Sequence, residues 1–114
     1  MKEFMLLFRQ SQSDVMNYHA TAEEMQANQK KWGDWVGSIE SRGKLASNGP
    51  ALAPIGKVLK PGGEIIDGPF VEVKEMLWNS ITIKADSLEE AVSIAKDCPA
   101  LNVDGSVEVR PVFS

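Results

Sequence analysis

A chain of 114 residues with a formal net charge of −4 is long enough to bury a core of its own and too acidic to favour nucleic acid, whose phosphates require a basic face. Its 43% hydrophobic and 25% charged residues are those of a globular protein, read here as a single domain over residues 1–114. One cysteine, Cys98, excludes an intramolecular disulfide, and one histidine, His19, leaves no His/Cys cluster for zinc.

The first apolar run, Phe4 to Phe8, has strand length but no alternation, so both of its faces are expected to be covered. It is too short for a signal-peptide core or a membrane span, and a cytoplasmic location with no membrane partner is expected. Thr21-Ala22-Glu23-Glu24 is a capping box that opens a helix. Met25, Trp32, Trp35, Val36 and Ile39 then recur at helical spacing, and Gly43 is placed to stop the run. Gly33 and Gly37 lie inside this helix, where each costs about 1 kcal/mol against alanine. They either permit a close backbone approach or are simply tolerated.

Pro50, Pro54 and Pro61-Gly62-Gly63 punctuate the next stretch. Its two short apolar runs, 55–59 and 64–66, read as a hairpin or a ragged edge pair. Leu77 to Ala85 is the next strand, with Ile81, Ile83 and Ala85 on one face and Trp78, Ser80 and Thr82 on the other. Ser87-Leu88-Glu89-Glu90 is a second capping box. Leu88, Ala91, Val92, Ala95 and Cys98 form the buried stripe of its helix, with Cys98 as inert packing, and Pro99 ends it. In the last strand, Ser106 to Val112, Val107, Val109 and Pro111 oppose Ser106, Glu108, Arg110 and Val112.

The order β-α-β(β)-β-α-β, with two helices able to cover one sheet face, is that of an α+β ferredoxin-like plait (βαββαβ) with an antiparallel sheet. Its other face keeps apolar groups of the first strand, with Trp78 and Val112. A homodimer in which two such sheets meet, a dimeric α+β barrel, is expected to cover them.

The chemistry left to the chain lies in its charges. Asp67 enters the Gly68-Pro69 turn and Phe70 leaves it; Glu108 and Arg110 project from one strand face about 7 Å apart. Two accounts stand. In one, Arg110 pairs with Asp67 or Glu108 and fixes the turn against the last strand. In the other, Arg110 holds an anionic ligand, Asp67 acts as general acid or base, and Phe70, Trp78 and Glu108 line the pocket. Neither account needs a cofactor or a metal.

The segment Asp67-Gly68-Pro69-Phe70-Val71-Glu72-Val73-Lys74-Glu75 resembles the DGPF motif of the YCII-related family of small α+β proteins, and 106–112 is similar to a strand that family carries near its C-terminus. The resemblance implies the same fold and, typically, a homodimer. It also implies two functional alternatives. One is a cofactor-free acid–base enzyme of isomerase or lyase type acting on a small polar or aromatic acid, since the family includes a degradative enzyme for a ring compound. The other is a non-catalytic ligand-binding or regulatory module, since some members accompany sigma-factor-like regulators. One branch of the family has a suspected catalytic His–Asp pair near its first helix. Here that helix contains no histidine, and His19 precedes its cap. Trp78 stands where members commonly have glycine, so a smaller or different ligand is expected.

Overall fold

The computed structural model describes residues 1–11, 21–53, 55–68, 75–102 and 105–113. The expectations for His19 and Phe70 fall outside these residues. Four strands, β1 (Lys2–Ser11), β2 (Leu45–Asn48), β5 (Glu75–Ala85) and β6 (Ser106–Pro111), form one antiparallel sheet in the order β2-β5-β1-β6. Two helices, α1 (Ala22–Ser41) and α2 (Leu88–Ala95), lie on one face. This is the expected α+β ferredoxin-like plait. The sheet is open within the chain and does not close into a barrel.

Local chemistry sets the helix limits. The Thr21 hydroxyl accepts from the Glu24 N–H at 3.1 Å, and the Ser87 hydroxyl accepts from the Glu90 N–H at 3.1 Å, so both expected caps form. At the end of α1 the Gly43 N–H donates to the Glu40 carbonyl at 2.9 Å and the Lys44 N–H to the Ile39 carbonyl at 3.1 Å. That pair of bonds is a Schellman motif, and it needs the left-handed backbone that Gly43 supplies at φ 69°.

The core lies between the helices and the sheet. β1 alternates: Phe4, Leu6 and Phe8 are buried, whereas Met5 is 36% exposed and Leu7 half-buried. Within the chain, therefore, only one face of β1 is covered. In α1, Trp35 and Ile39 are buried, and the Trp35 indole N–H donates to the Ile94 carbonyl of α2 at 3.2 Å. Met25 departs from the expected stripe and is exposed. In α2 the buried side is Ala91, Ile94 and Ala95 with Cys98 beyond, while Leu88 and Val92 are exposed. The stripe is rotated from the one expected because Ile94 carries the larger apolar surface onto the sheet.

The second strand of the plait is β2, not the apolar runs that follow it. Its single inward residue, Leu45, pairs with Ile83. The chain then stays against β5: Gly49 donates to the Ser80 carbonyl at 3.0 Å and Leu52 to the Trp78 carbonyl at 2.7 Å. A Cβ on Gly49 would sit 2.6 Å from the Ser80 carbonyl oxygen, so only glycine permits this approach. The apolar runs form a separate hairpin, β3 (Gly56–Leu59) with β4 (Ile65–Gly68), joined at the expected Pro61-Gly62-Gly63 turn.

Candidate functional site

β4 ends at Gly68, and Asp67 pairs across the hairpin with Lys57, which donates to its carboxylate. Antiparallel pairing puts Lys57, Asp67, Leu59 and Ile65 on one face of the hairpin, and all four are exposed. The Asp67 side chain is 89% exposed.

The second group of charges lies on the sheet face that the helices leave bare. Glu108 stands opposite Leu7 and Arg110 opposite Met5. Arg9, two residues beyond Leu7, donates to Glu108 Oε1 at 3.0 Å, and Arg110 Nε lies 3.7 Å from Glu108 Oε2. One carboxylate thus bridges two guanidinium groups. Arg9 was not singled out from the sequence, although strand parity alone puts it on the face of Met5 and Leu7. The Arg110 side chain is 68% exposed. No ion pair joins Asp67 to Arg110 among the described residues; each is held by its own neighbour, and the arrangement within the chain is that of structural pairing.

Trp78 lies on the face opposite to the one its parity suggested. β1 and β5 slip register at a bulge, where Phe8 pairs with Asn79 and Arg9 with Leu77. Two residues, Trp78 and Asn79, then oppose Phe8, and Trp78 turns to the helical side. Its ring meets Phe8 at 6.1 Å between centroids and Trp32 of α1 at 5.3 Å, edge to face. The Trp78 indole N–H is buried and has no hydrogen-bond partner among the described residues. A buried donor without an acceptor costs about 1–3 kcal/mol, so such a group requires an explanation.

Beside it an open groove of about 590 Å³ runs between α1 and the β2–β5 edge. Trp32, Val36 and Trp78 supply its apolar surface. Asn28, Gln29, Asn48 and Asn79 supply amide groups, and Glu40 is the charged residue on its wall among the described residues. Gly33 and Gly37 border it, and a Cβ on either would meet nothing within 4 Å. Among the described residues no backbone of another element approaches these glycines; their missing side chains leave the groove wide. The wall of this groove combines aromatic surface with a few polar groups. The sequence reading placed Trp78 in a pocket on the wrong face, and it missed Trp32, Glu40 and Asn79.

Among the described residues no three His, Cys, Asp or Glu side chains gather as a metal site, and no helix is long and apolar enough to cross a membrane.

The chain belongs to the YCII-related family, whose domain model matches residues 3–114. It is also similar to a protein of Rhizobium meliloti (strain 1021) described as uncharacterized, with 45% identity over 49 residues. That stretch is 42% of this chain and 40% of the other, so the match spans less than half of the relative's length.

Proposed function

We propose that this YCII-related protein binds a small molecule in the groove between α1 and the β2–β5 edge, against Trp32 and Trp78. The observation that carries this reading is the bulge in β5. It turns Trp78 out of strand alternation and onto the groove, next to a helix wall emptied by Gly33 and Gly37. A reaction shared by Asp67 and Arg110 inside one protomer is not part of the reading, because both are exposed and separately paired.

Gly37→Leu tests it without endangering the fold. The substitution adds a side chain where a Cβ meets nothing, and it removes a helix-interior glycine that costs about 1 kcal/mol. The variant is expected to melt at or above the parent temperature and to lose the tryptophan fluorescence change that a planar aromatic ligand produces in the parent. An unchanged ligand response in Gly37→Leu would place binding elsewhere.

The reading includes a homodimer formed through the bare sheet face. Support comes from Met5, Leu77 and Val112, each more than a third exposed, beside the Arg9–Glu108–Arg110 group. Sedimentation equilibrium is expected to give twice the mass of the chain, and Leu7→Glu to give the single chain with its melting transition retained. A parent that stays monomeric at high concentration would remove this element and leave the groove untouched.

A further inference from the structure

We infer that the β3–β4 hairpin is an arm that packs its exposed apolar face on a second copy of this chain. This rests on the homodimer proposed above and adds to it a contact that the sheet face does not supply. Antiparallel pairing sets Leu59 opposite Ile65 and Lys57 opposite Asp67 on one face of the hairpin, with Val58 and Ile66 on the other. Ile55, just before β3, is 78% exposed, Leu59 74% and Ile65 63%. Among the described residues none of the hairpin belongs to the core cluster, and β3 and β4 pack mainly on each other. A lone two-stranded hairpin is marginally stable in water, so these strands need a further surface to lie on.

The amount of uncovered surface is that of a subunit interface. A folded monomer of 12.5 kDa exposes about 6,200 Å², whereas this chain exposes 7777 Å², an excess of about 1,600 Å². A standard interface takes about 800 Å² from each partner, and an obligate dimer takes more. The radius of gyration points the same way, at 15.5 Å against about 13 Å for a compact chain of this length. The molecule measures 43 × 41 × 19 Å. Its thin dimension is that of two layers, so the hairpin widens the slab instead of covering the bare sheet face. One flat partner can therefore meet the sheet face and the arm together. Charge selects that partner. Lys57 and Lys60 are balanced by Glu64 and Asp67, and Lys57 donates to Asp67. Nucleic acid and anionic membranes require an excess of basic residues, which the arm lacks. A twofold interface sets a patch against its own copy, which a neutral patch allows and a net charge opposes.

Sedimentation equilibrium of the full chain tests the arm. Leu59→Ser combined with Ile65→Ser is expected to raise the dimer dissociation constant at least about a hundredfold, about tenfold for each apolar side chain that loses its contact. In the Leu7→Glu single chain the same pair is expected to leave the melting temperature unchanged, because neither side chain belongs to the core. Amide hydrogen exchange at 56–59 and 65–68 is expected to slow as the parent concentration rises and to stay fast in Leu7→Glu. A double variant that dimerises as tightly as the parent overturns the arm and leaves the sheet-face dimer standing. A lower melting temperature of the single chain also overturns it, since the hairpin is then covered by its own chain. Dissociation by the hairpin pair but not by Leu7→Glu keeps the arm and removes the sheet face. A parent that is monomeric at high concentration overturns both.

Discussion

Phe8→Ala is expected to lower the unfolding free energy by about 3–5 kcal/mol, as for other large aromatic truncations in a packed core. For a small domain with a total of about 5–15 kcal/mol, this is enough to populate the unfolded state at moderate temperature. Phe8 is fully buried on the strand at the centre of the sheet, between β5 and β6. Its ring meets Trp32 at 5.0 Å and Trp35 at 5.9 Å, both edge to face, and Trp78 at 6.1 Å. Three indoles from two elements converge on one phenyl ring, so truncation leaves a void that no single neighbour can fill without breaking its other contacts. Such edge-to-face pairs contribute about 0.5–1.5 kcal/mol each beyond the area they bury, which places the expected loss at the upper end of the range. Urea denaturation followed by tryptophan fluorescence reads the loss directly, and Phe8→Leu, which keeps most of the volume, is expected to lose less than half as much. A loss below about 1 kcal/mol for Phe8→Ala would mean that the aromatic cluster does not hold the sheet to α1.

The parts of this fold legible in the sequence are those fixed by neighbours along the chain. Thr21 and Ser87 cap helices because the groups they satisfy lie three residues ahead, and Gly43 ends α1 because its own backbone must be left-handed. The hairpin turn at Pro61-Gly62-Gly63 is likewise local. β2 was not legible, because Leu45-Ala46-Ser47-Asn48 carries little apolar pattern and is a strand only by lying against β5. The more apolar hairpin runs drew the assignment instead, yet Ile55, Leu59 and Ile65 remain exposed. Apolar content marks a strand as possible; pairing decides which sheet it joins.

The site was less legible, for one physical reason. Parity along β5 assigns faces correctly from Ser80 to Ala85, and it fails at the bulge, which is a relation between two strands and has no local signature. The reversal of Trp78 moves the aromatic wall from the bare face to the helical one, where Trp32 already lies. The close backbone approach allowed for Gly33 and Gly37 is not found among the described residues, where a Cβ on either meets nothing within 4 Å, so the alternative of simple tolerance stands. Glu108 was correctly placed on the bare face, and its partner Arg9 was readable from the same alternation.

Cys98 supplies the other large effect, a suppression of thiol chemistry by about a hundredfold at pH 8.5. The side chain is 1% exposed beneath α2, and burial pushes the thiol from its ordinary 9.0 up to about 11, with the Ala100 N–H donating to Sγ and opposing the shift in part. A rise of about two units reduces the thiolate, the reactive form, by about a hundredfold in the native state relative to the unfolded chain at that pH. Iodoacetamide is therefore expected to label the protein slowly in buffer and rapidly in denaturing urea, as counted by mass spectrometry. The same shift has a thermodynamic side with a definite sign. The folded state holds the proton more tightly than the unfolded state, so the contribution is fully present below pH 9 and is lost as pH rises through the window from 9 to about 11. The informative quantity is the difference between the parent and Cys98→Ala, which isolates the thiol. That difference is expected to shrink with rising pH, because only the parent incurs the cost of a buried thiolate. A pH-independent difference, or equal labelling rates in buffer and in urea, would show that Cys98 reaches solvent in the native state and that the packing of α2 on the sheet is looser than its buried side, Ala91, Ile94 and Ala95, requires.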